Sequence, residues 1–181
     1  MPAFFANLPL HPLLVHAVVV LVPLAVLTGI TVAVWPTARR RFGWPVVALA
    51  VLATLSIPVA TSTGEALRDR LPADPLIDTH AELGDQLLVV VAPMTAVLLA
   101  LMLLDRHRLR TARTEGPGSM TGPMTTVRSR WTRPAAVALA VLTVALAAVS
   151  AVQVVRIGDS GARAVWHDTR YVKPTRHGDD D

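Results

Sequence analysis

Histidines are the side chains of this sequence best suited to chemistry. Two of the six, His11 and His16, stand in the segment LHPLLVH directly before a long apolar run. His80 precedes another apolar run, and His167 follows the last one. Imidazole binds haem iron and transition metals, and it titrates near neutral pH. Because histidine is costly in hydrocarbon, four of them at the ends of apolar runs predict a shared purpose, either a bound cofactor or a hydrogen-bonded cluster.

Four apolar blocks must position these histidines. No Lys, Arg, Asp or Glu occurs in residues 1–38, 42–64, 86–104 or 134–155. Each block is long enough to cross a hydrocarbon core of roughly 30 Å at about 1.5 Å per helical residue. We therefore predict an all-α fold in which residues 1–181 form a single membrane domain. This domain is a four-helix transmembrane bundle, with helices at about 12–35, 44–63, 79–104 and 134–155. The third helix begins either after Asp74 and Pro75 or at Thr79, where THAE resembles a capping box.

Composition excludes several classes of protein. Cysteine is absent, which excludes disulfides, thiolate metal sites and iron–sulfur clusters built by this chain. The sequence pI is near 10.9, but the arginines stand beside apolar runs, which favours a role in membrane topology over nucleic-acid binding. No nucleophile elbow or zinc-protease motif is present. An electron-transfer or structural membrane protein is therefore expected rather than an enzyme.

The charges of the connections predict the orientation. Three consecutive arginines, residues 39–41, separate the first two helices, and residues 105–133 contain seven arginines around a Gly/Pro/Ser/Thr-rich centre. The connection between the second and third helices is mainly acidic. By the positive-inside rule, the two basic connections are cytoplasmic. We therefore predict that residues 105–133 form a flexible cytoplasmic loop, that both termini lie outside, and that residues 156–181 form an outer tail.

This topology gathers ionisable groups at the outer end of the bundle. A b-type haem bound there for electron transfer is the preferred hypothesis, with His16 and His80 as the axial pair because both belong to regular helices. His11 precedes Pro12 and is expected outside the helix, where it and His167 would contact haem propionates or a second metal. The supporting residues in this hypothesis are Glu65, the lone amide Gln153, which needs a partner, and the propionate-binding Arg156 and Arg163.

Two alternatives remain open at this stage. The first is a compact zinc or copper site, because imidazoles and a carboxylate suit these metals. Its ligands would come from His11, His16, His80, His167 and Glu65. The second is a structural or regulatory membrane subunit without cofactor, in which the histidines form hydrogen bonds and respond to external pH. The expected partners are the lipid bilayer and, for the haem hypothesis, a redox protein at the outer face; no nucleic acid is expected.

Three segments resemble an uncharacterised bacterial membrane family, the domain of unknown function DUF2231. They are LHPLLVH, STGEALRDRLPADPLIDTHAELGD and GDSGARAVWHD, in that order, and the resemblance covers nearly the whole chain. Ala162 and Asp168 occupy positions where glycine is common in this family. The resemblance implies a four-helix domain in the bacterial cytoplasmic membrane. Because relatives are joined to Rieske or cytochrome-type modules, it also implies redox work.

Overall fold

The computed structural model describes residues 4–5, 8–114 and 123–167. Two short segments, Phe4–Phe5 (β1) and Leu8–Pro9 (β2), pair in antiparallel fashion ahead of the first helix. Four long helices follow: α1 Leu10–Val34, α2 Pro36–Arg68, α3 Pro75–Thr114 and α4 Pro123–Trp166. All four are long and apolar enough to cross a membrane. The predicted all-α transmembrane bundle is confirmed.

The helices pack as an antiparallel ring. Each helix packs against its neighbours in sequence, and α4 closes the ring against α1. Every helix contributes fully buried residues to one core, among them Val22, Ile57, Met94 and Ala147. A Cβ atom added to Gly43 of α2 would lie only 2.3 Å from the Sδ atom of Met102, so a larger residue here would displace the Met102 side chain between α2 and α3.

Large apolar side chains also cover the outside of the bundle. Val20, Leu55, Val89 and Val141, one on each helix, are between 60% and 73% exposed. A water-soluble monomer rarely exposes apolar surface continuously around its circumference. Lipid hydrocarbon is the solvent that such a surface requires, because the helices already satisfy their own backbone hydrogen bonds.

The helices extend beyond the predicted boundaries. α2 begins at Pro36, where Trp35 adopts an extended conformation and proline suits the first helical position. α3 and α4 continue into residues 105–114 and 123–133, which were predicted to be a flexible loop, and α4 also includes much of the predicted tail. Residues 115–122 and 168–181 lie outside the described part of the chain. Hydropathy marks only the part of a helix that lies in lipid, whereas arginine continues a helix into water at little cost.

The sequence offered two positions for the start of α3. Of the two predicted starts, α3 uses the earlier: the Asp74 side chain accepts a hydrogen bond from the Leu76 amide at 2.8 Å. Thr79 instead donates to the Pro75 carbonyl from inside the helix.

Gln153 is buried, and its Nε2 atom donates to the Leu83 carbonyl at 3.0 Å. The expectation that this amide needs a partner is confirmed, and the bond joins α4 to α3.

Candidate functional site

One cavity lies at the end of the bundle where α1 and α3 begin and α2 and α4 end. We call this the histidine end. The cavity has a volume of about 370 Å³ and is partly open, and all four helices line it. Its walls are mainly apolar and include small residues at which helix backbone forms the surface. Each helix contributes to the lining, which includes His11 and Val15 of α1, Ala60, Gly64, Glu65 and Arg68 of α2, His80 and Gly84 of α3, and Ile157, Gly158 and Gly161 of α4.

His11 is fixed by two features of α2. Its Nδ1 atom lies 3.1 Å from the Ala60 carbonyl oxygen. Because a carbonyl oxygen only accepts, Nδ1 carries the proton and the neutral ring has its lone pair on Nε2. The ring also lies against Gly64, where an added Cβ atom would be 2.9 Å from the Cε1 atom. A glycine is therefore needed at this position for the ring to occupy its place.

His80 is fixed in the same way by α4. Its Nδ1 atom lies 3.0 Å from the Ser160 hydroxyl, which itself donates to the Ile157 carbonyl at 2.9 Å. The serine proton is thus already used, so the hydroxyl accepts from Nδ1 and the lone pair of His80 is again on Nε2. The ring lies against Gly161, where an added Cβ atom would be 3.0 Å from Cε1.

The cavity therefore has two equivalent halves. In each half, a helix contributes a histidine in its first turns, and the following helix contributes an oxygen that binds Nδ1 and a glycine that accommodates the ring. Such a hydrogen bond selects the tautomer and orients the ring of a ligating histidine. Both rings are thus held in the tautomer whose Nε2 atom can bind an electrophile.

The electrostatic environment keeps His11 neutral. His11 precedes the membrane-spanning stretch of α1, Leu14–Val34. Burial lowers the pKa of His11 below its usual value of 6.5, the hydrogen bond to Ala60 opposes this shift, and the charge of His80 lowers the pKa further. Burial in the apolar cavity thus favours the uncharged state of His11, in which Nε2 is available as a ligand.

The structure does not bring His16 to the cavity. α1 begins at Leu10, so His11 lies within the first helical turn rather than outside the helix as predicted. His16 is then about 140° further around the axis. It is exposed, and its Nδ1 atom contacts the Pro12 carbonyl of its own helix. His11, and not the predicted His16, is therefore the histidine of α1 that lines the cavity.

Three of the other predicted residues, His167, Arg156 and Arg163, lie outside the cavity lining. His167 is exposed just after α4, 4.0 Å from a carboxylate oxygen of Asp74. Arg156 and Arg163 line a separate groove between α3 and α4, and Arg163 pairs with Asp159 at 2.9 Å. Glu65 does line the cavity, although its side chain is exposed.

The predicted metal cluster is not assembled. Within the described ranges 8–114 and 123–167, no three His, Asp or Glu side chains are grouped so that they could hold a metal ion. The reason is geometric: His16 and His167 face away from the cavity, which leaves one histidine from each half of the bundle.

Sequence reasoning missed Arg68, which lines the same cavity. Its guanidinium lies 2.7 Å from Asp78 and is about half exposed. The signal was present in the helical spacing, because residues 57, 60, 61, 64, 65 and 68 of α2 form one stripe along the cavity. Glycines 64 and 161 were missed as ring supports because nothing in the sequence pairs them with histidines on other helices.

Comparison with known proteins places the chain in a family. No curated protein and no solved structure matches it. The family described as predicted membrane protein (DUF2231) matches residues 7–174, which include the whole cavity and all four helices. The chain therefore belongs to the DUF2231 family of predicted membrane proteins.

Proposed function

We propose that the histidine-end cavity binds a b-type haem, with His11 and His80 as axial ligands, and that the protein transfers single electrons. One observation carries this proposal. Two imidazoles from different helices line one apolar cavity, and each has its Nδ1 atom bonded to a neighbouring helix, so that Nε2 bears the lone pair. Axial imidazoles from facing helices of a bundle are a common way to hold haem.

The remaining walls of the cavity fit such a group. A haem is flat and apolar apart from its propionates, and the backbone at Gly84 and Gly158 leaves the cavity wall without side chains at these positions. Arg68, at the polar edge of the cavity, can pair with a propionate in place of the predicted Arg156 and Arg163. When bound, haem supplies a reversible one-electron couple, while the chain supplies the ligands and a mainly apolar cavity.

The orientation predicted from the sequence indicates the side of the membrane to which the cavity opens. Arginines 39–41 and the arginines of residues 105–133 belong to the end of the bundle opposite the histidines. With that end in the cytoplasm, the cavity opens toward the outer face of the membrane. A redox partner would then dock at the outer face, near the ends of α2 and α4.

A cofactor-free structural or regulatory subunit is the second candidate. It is favoured by the fact that His11 and His80 already have hydrogen-bond partners, which suffices to retain a half-buried imidazole. In that case, the cavity would be a product of small residues at the helix ends, and the histidines would only connect adjacent helices.

Absorption spectra separate the two candidates. The full chain is purified in detergent from haem-supplied cells, and oxidised and dithionite-reduced spectra are recorded with haem quantified on the same sample. We expect Soret and α bands that are lost in His11→Ala and in His80→Ala. His16→Ala is the matched control, since it removes an exposed imidazole from the same helix as His11, and it should retain the bands. A wild-type protein without haem, or loss of haem in His16→Ala alone, contradicts the proposal.

A further inference from the structure

A second cavity lies at the opposite end of the bundle, where α2 begins and α3 ends. We call this the arginine end. The cavity has a volume of about 380 Å³ and is lined by four arginines (Arg39, Arg40, Arg106 and Arg110), one aspartate and three apolar or aromatic side chains; Arg108 lies beside it and is not part of its lining. The guanidinium of Arg106 lies 5.7 Å from the centre of the Trp44 ring, a cation–π contact that holds both at the cavity wall. The lining is thus strongly positive.

The most deeply placed of these arginines lacks a full set of acceptors. The Arg39 side chain is only 11% exposed, and its Nε atom lies 2.9 Å from a carboxylate oxygen of Asp105. This contact is an ion pair whose N–H direction does not meet hydrogen-bond geometry. The Nη1 atom is enclosed and has no hydrogen-bond partner among the described residues. The positive charge of the Arg39 guanidinium is therefore incompletely compensated.

The same carboxylate also serves a second arginine. Arg108 Nη1 lies 3.8 Å from the other oxygen of Asp105, and the Nε and Nη2 atoms of Arg108 are also enclosed without a hydrogen-bond partner in the described structure. Two partly buried cations therefore share one anion. Because burial of an incompletely compensated charge is unfavourable, an additional anion beside Arg39 in the cavity would be stabilising.

We propose that the cavity at the arginine end binds the phosphate group of an anionic phospholipid. Phosphate accepts several charge-assisted hydrogen bonds, and the planar guanidinium matches its geometry. The cavity lies at the end of the apolar spans, where head groups stand, and basic pockets between transmembrane helices are suited to them. The walls formed by Trp44, Met102 and Leu109, next to the exposed Leu103, favour a phosphate that carries acyl chains over a free ion. This site does not depend on the proposed haem.

Lipid binding is measured by native mass spectrometry of the full chain in neutral detergent, titrated with phosphatidylglycerol or with zwitterionic phosphatidylcholine. Three variants are compared. Arg39→Gln removes the enclosed guanidinium that pairs with Asp105, and Arg40→Gln removes a second guanidinium from the cavity lining. Arg41→Gln is the matched control, because it removes the same charge from the neighbouring exposed residue, which contacts Phe42 instead of the cavity.

We expect Arg39→Gln to weaken phosphatidylglycerol binding about tenfold, the loss of one charge-assisted hydrogen bond. Arg40→Gln should weaken it as well, which keeps the test valid if Arg39→Gln unfolds the helix ends. Arg41→Gln should bind like the wild type. Equal losses in all three variants indicate diffuse electrostatics and overturn the proposal. It is also overturned if inorganic phosphate occupies the site with the same dependence on Arg39 and Arg40 while phosphatidylglycerol does not bind.

Discussion

The two ends of this bundle are built from the same four helices but have opposite chemistry. At the histidine end, two imidazoles line an apolar cavity, and the Nδ1 atom of each donates a hydrogen bond to the neighbouring helix. At the arginine end, two guanidiniums share one carboxylate, and some of their enclosed N–H groups have no hydrogen-bond partner in the described part of the chain. The first arrangement is suited to a mainly apolar ligand that binds imidazole, and the second to an anion. A membrane bundle can thus present different binding chemistry to each side of the bilayer.

The largest expected effect tests whether the two ends are independent. His80→Ala should abolish haem binding and leave the binding of phosphatidylglycerol unchanged, whereas Arg39→Gln should weaken phosphatidylglycerol binding about tenfold and leave haem binding unchanged. The residues lie at opposite ends of long helices, so additive behaviour is expected. Haem content and native lipid binding are measured on both variants and on the double variant. Loss of both ligands in either single variant would show that the ends are coupled, or that the variant is misfolded.

A smaller effect is expected from the glycines that support the imidazole rings. Gly64→Ala should lower haem affinity about tenfold, because its Cβ atom would lie 2.9 Å from His11 Cε1 and displace the ring from its orientation. Gly29→Ala is the matched control, since an added Cβ atom there meets nothing within 4 Å. Haem titration of protein from haem-limited cells measures the difference. Equal affinities for the two variants would mean that the orientation of His11 does not matter for binding.

The smallest effect concerns pH and is specific to the histidine end. Since the folded-state pKa of His11 lies below 6.5, the unfolded chain takes up the proton first as the pH falls. Stability from the neutral ring is therefore fully present above about pH 6.5 and is lost progressively below it. The apparent melting temperature of haem-free protein in detergent should fall over this interval, and His11→Asn should flatten the curve.

The control for this effect is His16→Asn, on the exposed side of the same helix, which should retain the wild-type pH dependence. Asparagine at position 11 can still donate to the Ala60 carbonyl but cannot take up a proton. An unchanged pH dependence in His11→Asn would show that burial of this imidazole does not contribute to stability.

The sequence predicted the spans and the side of the bundle to which most histidines belong, because charge-free runs and basic connections are strong local signals. It did not predict which histidine of LHPLLVH faces inward. That choice depends on the register at which α1 begins, and a shift of one residue rotates each side chain by about 100°. The predicted helices were also too short, because hydropathy does not detect the part of a helix that continues into water.

Side-chain contacts between residues that are far apart in the chain could not be predicted from the sequence. The pairing of His80 with Ser160 and the enclosure of Arg39 beside Asp105 connect residues that are far apart in the chain. Arg68 shows the intermediate case: its position on the cavity stripe of α2 could have been derived from helical spacing, but only after Glu65 had been assigned to the cavity.

The proposed function requires that His11 of α1 and His80 of α3 bind the same haem iron. Electron paramagnetic resonance of the oxidised protein tests it most directly, because two imidazoles on a ferric haem give a low-spin signal, whereas one gives a high-spin signal. We predict a low-spin signal in the wild type and in His16→Ala, and a high-spin signal or none in His11→Ala and in His80→Ala. An unchanged low-spin signal after removal of either His11 or His80, or a wild-type protein without a haem signal, would contradict the account.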